Sequence, residues 1–201
     1  MHGSVARDAF DERLSDVDVT AVLARAPEPA ELAELLRIHR RLPRVELELL
    51  VAGAWDAEHD ALNEGRHERW RLSVVNRIQL REHAIVLRGP HPSSFLPEPT
   101  RAELLDEMRW NLDVYWPGKL RRRRLWLDEA WVRFGVLTLG RILYTLETGE
   151  LISKPHARDW LRERHPWAAP LLDGRLGRVR RAVAARRFVR ERIDEARHIL
   201  S

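Results

Sequence analysis

The sequence predicts an N-terminal domain of the α+β or α/β class over residues 1–90 and an all-α domain over residues 101–201. Up to residue 90, segments with strand-like alternation take turns with segments of helical periodicity, which is typical of a domain that combines a sheet with helices. Residues 91–100 are rich in proline and serine and indicate a linker. From residue 101 onward the apolar residues recur with helical spacing, as expected of a helical bundle.

Within the first domain, the spacing of apolar residues and the positions of proline and glycine set the expected elements. Prolines and glycines end segments because they interrupt the hydrogen bonds or the dihedral angles of regular structure. We expect a strand over 16–24, a helix over 30–42, a strand over 45–51, a polar and partly loop-like stretch over 53–66, a helix over 68–82 and a short strand over 84–87.

The second domain contains apolar residues at i, i+3 and i+4 spacing almost throughout. The segment from Trp131 to Leu146 is apolar on most of its faces, which predicts the central helix of the bundle. The expected helices cover residues 100–116, 125–147, 154–164 and 174–200.

Composition limits the class of protein. At 201 residues and 44% apolar content, the chain can bury one good core or two small ones. It has no cysteine, which excludes disulfides and thiolate metal sites. There is no signal peptide pattern and no apolar run of about 18 residues, so we expect a cytoplasmic protein without a membrane span. The abundance of alanine, leucine and arginine suggests a bacterial genome of high GC content.

The most informative stretch is His2-Gly3-Ser4 followed by Asp16-Val17-Asp18. In a strand Asp16 and Asp18 share one face, and two neighbouring carboxylates repel each other unless a cation lies between them. Mg²⁺ favours such a site, because it prefers one or two carboxylates together with phosphate oxygens. The Gly3-Ser4 turn offers backbone N–H groups and a hydroxyl to a phosphate. This pattern predicts metal-assisted nucleotidyl transfer; the alternative is a pair of surface acids.

Few residues precede the turn. Only Met1 and His2 stand before Gly3, although a strand would normally position such a turn. We therefore expect that the first helix and strand of this domain are missing, or that the start was assigned too far downstream.

A third acid is available on the second predicted strand. If that strand lies next to the first, Glu46 points to the same cleft, where it could bind metal or act as general base on an attacking hydroxyl. Glu48 shares the face of Glu46 and competes for the same role. The alternative is that both glutamates face water on a half-exposed sheet.

Two cations of the second domain stand out. Lys154 is one of only two lysines, and Ser153 is a suitable N-cap for the helix that begins there, so Lys154 would lie at the positive end of a helix, which favours anions. Arg141 lies within the apolar central helix, and a buried arginine usually pairs with an acid or a phosphate. A structural ion pair is the alternative for Arg141.

Other charged and aromatic groups are less specific. The nine histidines show none of the usual zinc-site spacings. The tryptophans of the second domain are expected mostly in the core, with one or two free to stack on a sugar or base. Arg121–Arg124 predicts an exposed basic face, and nucleic-acid binding is the alternative that we rank lower.

These pieces resemble a known family. The turn and the Asp-x-Asp pair look like those of the DNA polymerase β-type nucleotidyltransferases. The run Val136-Leu137-Thr138-Leu139-Gly140-Arg141, continuing through Thr148-Gly149 and Ser153-Lys154-Pro155 to Asp159-Trp160, closely resembles the helical domain of the streptomycin/spectinomycin adenylyltransferases. The resemblance implies a nucleotidyltransferase-like mixed sheet with helices, followed by the helical bundle.

The resemblance implies an antibiotic-resistance enzyme that transfers AMP from ATP to a hydroxyl group and releases pyrophosphate at a site between the two domains. Asp16 and Asp18 would bind Mg²⁺, and Glu46 would serve as the base. The remaining matches imply nucleotide-binding roles for Gly3, Ser4, Ser15, Arg141 and Lys154.

The acceptor is the open part of this prediction. Aminoglycosides are polycations that need acids and an aromatic wall, for which this chain offers Trp116, Asp128 and Glu129. The arginine run nearby would repel a cationic drug if it faced the cleft, so another small molecule or a protein remains an alternative acceptor. We expect a monomer whose partners are ATP and a hydroxyl-bearing small molecule, with no nucleic acid. A degenerate relative that binds nucleotide or a partner protein without turnover is the second hypothesis.

Overall fold

A computed structural model describes residues 1–3, 16–42 and 44–201. The chain forms two units, Met1–Thr100 and Arg101–Ser201. The first combines a sheet with helices, and every regular element of the second is helical, so the protein is of the mixed α+β kind. Within the described ranges, no helix combines the length and the apolar character needed to cross a bilayer.

The first unit contains a four-stranded mixed sheet of order β1-β2-β3-β4. Strands β1 and β2 pair in parallel, whereas β3 and β4 are antiparallel to their neighbours. The strands are β1 (Val17–Leu23), β2 (Val45–Val51), β3 (Glu58–Asn63) and β4 (Arg66–Arg71), and the helices are α1 (Pro29–His39) and α2 (Val74–His83).

The parallel pair β1–β2 depends on the helix that connects its strands. Helix α1 starts with a capping box, in which the Glu28 and Glu31 side chains satisfy each other's backbone N–H groups, and Pro29 fits its first turn. At the other end, the buried His39 ring lies 2.6 Å from the carbonyl oxygen of Val45, the first residue of β2. The predicted elements 16–24, 30–42 and 45–51 are thereby confirmed to within a few residues.

One expectation for the middle of this unit is wrong: the first part of the helix expected over 68–82 is strand β4. The polar stretch 53–66, expected to be partly loop, begins with a loop and then contains strand β3. Glu64 and Gly65 join these strands, both with positive φ (48° and 72°), as in the two-residue turns that favour hairpins. Strand β4 is an edge strand of mostly charged residues, so it carries almost no apolar alternation. Helix α2 begins later, where the Ser73 hydroxyl accepts a hydrogen bond from the Asn76 N–H.

The short strand expected over 84–87 does not form. Ile85, Val86 and Leu87 are 41%, 40% and 70% exposed, so their apolar side chains face solvent rather than a core. The backbone of Ile85 exchanges two hydrogen bonds of 2.9 Å with Met1, but no strand results. An apolar run of four residues is too short to distinguish a strand from a loop by pattern alone.

The second unit is organised around its longest apolar helix, as predicted. Helix α5 buries side chains on most of its faces, among them Val132, Val136 and Leu143. A π turn over Asn111–Tyr115 continues α3 into α4, and short 3-10 turns cover Arg123–Leu127 and Pro166–Ala168. The helices are α3 (Arg101–Trp110), α4 (Trp116–Arg121), α5 (Glu129–Thr148), α6 (Lys154–Arg164), α7 (Ala169–Leu172) and α8 (Arg178–Leu200).

Two glycines of α5 allow its neighbours to approach closely. A Cβ on Gly135 would lie 3.2 Å from the rings of Trp116 and Trp126, which are completely buried. A Cβ on Gly140 would lie 2.6 Å from Cδ1 of Leu161 on α6, another completely buried side chain. Because interiors are close-packed, neither contact can be relieved without moving a neighbour.

The Gly140 contact gives a direct test of this packing. We expect Gly140→Ala to lower the free energy of unfolding by about 1–3 kcal/mol, because the new methyl group overpacks the α5–α6 contact. Gly118→Ala is the matched control: Gly118 lies in a helix with nothing within 4 Å of its added Cβ. The control should gain about 0.4–1 kcal/mol through the lower entropy of its unfolded chain. Urea unfolding of both variants checks this, and equal stabilities would contradict the proposed contact.

Candidate functional site

The sheet brings two of the predicted acids together. Asp18 on β1 and Glu46 on β2 are register partners in the parallel pair, so their side chains lie next to each other on one face. Both are partly exposed. Asp16 is exposed and lies just before β1. The arrangement offers oxygen ligands on two neighbouring strands, which is the donor chemistry that hard cations prefer.

Gly3 lies against the Asp18 carboxylate. The backbone N–H of His2 donates to the Asp18 carbonyl oxygen at 3.0 Å, in an isolated antiparallel bridge. Gly3 has a φ of 70°, and a Cβ on it would lie 1.7 Å from Asp18 Oδ2. Only glycine therefore fits beside this carboxylate. The other predicted members of the turn and of the strand entry, Ser4 and Ser15, lie outside the described residues.

Glu48 occupies a different environment from Glu46, although it shares the face. Its side chain is buried, and Oε1 accepts a hydrogen bond of 3.2 Å from the Asn76 amide. Nε2 of the buried His59 lies 4.0 Å from Oε2. Burial, together with the negative charge of Asp18, raises the pKa of Glu48 to about 7. The alternative in which Glu48 faces water is therefore wrong.

His2 closes the edge of this site. Its ring is 3% exposed, and Nε2 lies 3.1 Å from the Thr20 hydroxyl. Burial, assisted by the nearby N-terminal amino group, lowers the pKa of His2 to about 4. The imidazole is therefore neutral at physiological pH.

Sequence reasoning missed Asn76 and His59 as neighbours of Glu48. His59 belongs to β3, in a polar stretch for which no strand was predicted, and Asn76 lies in the first turn of α2, whose start was placed too early. Locating the Ser73 cap would have shifted the start of α2 and drawn attention to Asn76. No local pattern would have indicated His59.

The carboxylate oxygens of this site suit a metal ion whose remaining coordination positions are filled by a bound ligand. In the described ranges, no group of three or more His, Cys, Asp or Glu side chains is arranged to hold a metal ion. Asp16 and Asp18 nevertheless lie two residues apart at the start of β1, and Glu46 lies beside Asp18 on β2. Magnesium is commonly held in this way, by one or two carboxylates plus phosphate oxygens and water. The residues present thus fit such an ion.

In the second unit the predicted cations flank one loop. Nε of Arg141 on α5 donates to the Ile152 carbonyl oxygen at 2.9 Å, two residues before Lys154. The buried Thr145 hydroxyl donates to the Glu150 carbonyl oxygen at 2.9 Å and fixes the same loop. Ser153 is the N-cap of α6, as predicted, and Lys154 is exposed in its first turn. An exposed cation at the positive end of a helix is a suitable environment for an anion.

The three residues predicted to bind the acceptor already make contacts that stabilise the fold. Trp116 is completely buried among Trp126, Trp131 and Phe134, with ring centroids 5.7–6.4 Å away. Asp128 caps α5 by accepting from the Trp131 N–H at 2.8 Å. Glu129 forms an ion pair of 2.8 Å with Arg181 and another of 3.5 Å with Arg133.

The second unit is similar to a characterised family. Residues 118–197 match the family model described as aminoglycoside adenylyltransferase, C-terminal domain. An aminoglycoside (3'') (9) adenylyltransferase from Rhizobium radiobacter is 34% identical over 91 residues, which cover 43% of this chain and 29% of the relative. Relatives of the same name from Klebsiella pneumoniae and Escherichia coli are 37% identical over 91 residues, 43% of this chain and 30% of theirs.

These matches confirm the predicted resemblance to the aminoglycoside adenylyltransferase family. The residues that the family model matches include both Arg141 and Lys154, together with the whole of α5 and α6. The chain spans less than a third of the length of the curated relatives that it matches.

The environment of Glu48 predicts a pH-dependent stability. Between about pH 4.5 and 7 the folded chain keeps a proton on Glu48 that the unfolded chain has released. Stability must therefore fall as pH rises through this window, by about 3 kcal/mol for a shift of this size. Glu48→Gln removes this contribution and can still accept the Asn76 hydrogen bond.

The test is to measure urea unfolding of both proteins with EDTA from pH 4.5 to 7.5. The lowered pKa of His2 acts in the opposite direction in both proteins, so the difference between them isolates Glu48. Relative to Glu48→Gln, the wild type should lose stability across the window. A difference that stays constant with pH would contradict the assigned environment.

Proposed function

We propose that this protein is a nucleotidyltransferase that transfers AMP from ATP to a hydroxyl group of a small-molecule acceptor. The observation that carries the proposal is the register pairing of Asp18 with Glu46 and the close approach of Gly3, in a chain whose second unit matches the adenylyltransferase domain. The relatives' name supplies the reaction class, and an aminoglycoside is the first acceptor to test.

In this proposal Asp16 and Asp18 hold a divalent cation, for which we propose Mg²⁺. The bound ion would neutralise charge on the phosphates of ATP and orient them. Gly3 lets the chain pass beside Asp18 without blocking the carboxylate. Arg141 and Lys154 bind the triphosphate, since a fixed guanidinium and an ammonium at a helix start both favour phosphate oxygens.

We assign the general base to Glu46. It stands beside Asp18 and is partly exposed, so an acceptor hydroxyl can reach it. Glu46 takes the proton of that hydroxyl as the oxygen attacks the α-phosphorus. The bond from the α-phosphorus to the oxygen bridging to the β-phosphate breaks, and pyrophosphate leaves. Alignment and charge neutralisation supply most of the acceleration in such a transfer.

Glu48 is the less suitable base because its side chain is buried and bonded to Asn76. We propose that Glu48 has an electrostatic role instead. When it is protonated, it adds no further negative charge next to Asp18 and Glu46. This role uses the raised pKa without requiring access to the acceptor.

The acceptor site differs from what a polycationic drug requires. Asp128 and Glu129 already bind a backbone N–H and two arginines, and Trp116 is buried. Trp116 is therefore left out of the proposed site, and Asp128 and Glu129 would have to exchange partners to bind an amine. A neutral or less basic polyol is thus a second acceptor class worth testing beside the aminoglycosides.

Turnover is tested by measuring Mg²⁺-dependent release of pyrophosphate from ATP with a panel of aminoglycosides and neutral polyols. We expect release that requires one of these acceptors and falls at least a hundredfold in Asp16→Ala/Asp18→Ala, because the metal ligands are lost. Calorimetry with Mg²⁺-ATP is run on the same samples. Failure to bind Mg²⁺-ATP would contradict the proposal; binding without release with any acceptor would favour the non-catalytic relative.

Lys154 provides a separate test of nucleotide binding. We expect Lys154→Ala to weaken binding of Mg²⁺-ATP about tenfold, which corresponds to the loss of one favourable ammonium–phosphate contact. Lys119→Ala is the matched control, because Lys119 is the chain's other lysine and lies over the rings of Tyr115 and Trp131. Calorimetric dissociation constants that change equally in both variants would argue against the assigned role of Lys154.

A further inference from the structure

A groove lined by arginines lies on the surface of the second unit. It has a volume of about 420 Å³ and is lined by Pro117, Leu120, Arg121, Arg123, Arg186 and Arg190. One wall is the end of α4 with the 3-10 turn that follows, and the other is the middle of α8. We refer to these six residues as the arginine groove.

The two walls contain no acidic residue. Residues 114–127 include five lysines and arginines, and residues 178–190 include six arginines, with no aspartate or glutamate in either segment. The second unit as a whole has 22 lysines and arginines against 14 acids, although the whole chain carries a net charge of only +4. Such a charge asymmetry within one chain is typical of proteins that bind a polyanion.

The arginines of the groove differ from others in the same unit. Arg109, Arg164 and Arg197 each form an ion pair with a carboxylate, at 2.8–2.9 Å. Among the described residues, no acid forms an ion pair with Arg121, Arg123, Arg186 or Arg190. Arg186 donates to the Leu120 carbonyl oxygen at 3.1 Å and thereby joins the two walls. The remaining guanidinium groups are available to an external anion.

The charge extends beyond one small anion. Arg122 and Arg124 are exposed on the same wall, beside Arg121 and Arg123. A single phosphate cannot neutralise so many guanidinium groups, whereas nucleic acid carries a phosphate at every nucleotide. Arginine is also the side chain that best matches phosphate oxygens, through two parallel N–H donors. Pro117 and Leu120 are the apolar residues of the groove's lining, and a sugar can pack against them.

We propose that the arginine groove binds the phosphate backbone of a nucleic acid without sequence specificity. In the sequence, Arg121–Arg124 is the one basic run that suggests nucleic acid, and by itself it is more typical of an exposed face. The structure adds α8 as a second basic wall, which a one-dimensional pattern does not reveal. This binding is independent of the proposed nucleotidyl transfer.

The test is fluorescence anisotropy of a labelled 20-nucleotide single-stranded RNA of mixed sequence with the full chain. We compare wild type with Arg121→Gln/Arg123→Gln/Arg190→Gln, which keeps Arg186 because it joins the walls. At 50 mM salt the variant should bind at least tenfold more weakly. The slope of log K against log salt should become shallower by about 2, as expected for the loss of three phosphate contacts.

The matched control is Arg109→Gln/Arg164→Gln/Arg175→Gln. It removes the same charge, but each of these arginines already pairs with a carboxylate, at 2.9, 2.8 and 3.4 Å. The control should change the affinity less than threefold. Thermal melts monitored by circular dichroism should be unchanged in the groove variant, since its three side chains have no carboxylate partner to lose. The control should melt only slightly earlier, since exposed ion pairs contribute little to stability.

Four outcomes would overturn the proposal. The first is an equal loss of affinity in both variants, and the second is no RNA binding by the wild type at 50 mM salt. The third is displacement of the RNA by polyglutamate at equal charge concentration, which would indicate an acidic protein partner. The fourth is binding to phosphatidylserine vesicles without binding to RNA, which would indicate a membrane surface.

Discussion

The parallel pairing of β1 with β2 is the constraint on which the candidate site depends. It places Asp18 and Glu46 side by side, where two carboxylates repel each other. Burial, with a smaller contribution from the charge of Asp18, raises the pKa of the neighbouring Glu48 to about 7, so below that pH Glu48 adds no third negative charge. Gly3 packs directly against the Asp18 carboxylate, at a point where a Cβ would collide with it. In our proposal, a bound cation offsets the repulsion between the acids of this site.

In the helical unit, close packing of the helices positions the two predicted cations, Arg141 and Lys154. Arg141 lies in the middle of a helix that buries most of its faces, and its hydrogen bond to the Ile152 carbonyl oxygen links it to the loop before Lys154. The preceding Gly140 lets α6 approach α5 at this level. Packing of small against large residues thus positions the two cations, whereas in the first unit hydrogen-bonded register positions the acids.

The elements that could be predicted best from the sequence are those with the strongest periodic pattern of apolar residues. Strand β2, helix α5 and helix α6 have strong patterns of apolar residues, and both helices also have clear N-caps. The bounds of all three were predicted to within four residues. Strand β4 was missed because an edge strand needs no apolar face, and the apolar run 84–87 was taken for a strand although its side chains are exposed and only Ile85 bonds to another segment, at Met1. Asp18 and Glu46 were found because carboxylate alternation is visible in one dimension. His59, Asn76 and the second wall of the arginine groove depend on contacts between distant segments.

The two units also differ in net charge, and we propose a different role for each. The first carries the clustered acids and an overall excess of negative charge, and the second carries the cations for phosphate groups. Most arginines outside the arginine groove are already paired with acids, so a high arginine content alone says little about ligands. What matters is which guanidinium groups lack a carboxylate and which elements present them together.

The most direct measurement of the central claim is paramagnetic broadening of backbone amide signals by Mn²⁺, in place of Mg²⁺, in ¹⁵N-labelled protein. We expect the amides of Gly3, Asp18 and Glu46 to broaden first and Asp18→Asn to abolish this selectivity. Broadening that begins at other acidic surfaces, or that is unchanged in Asp18→Asn, would contradict a metal site on the β1–β2 pair.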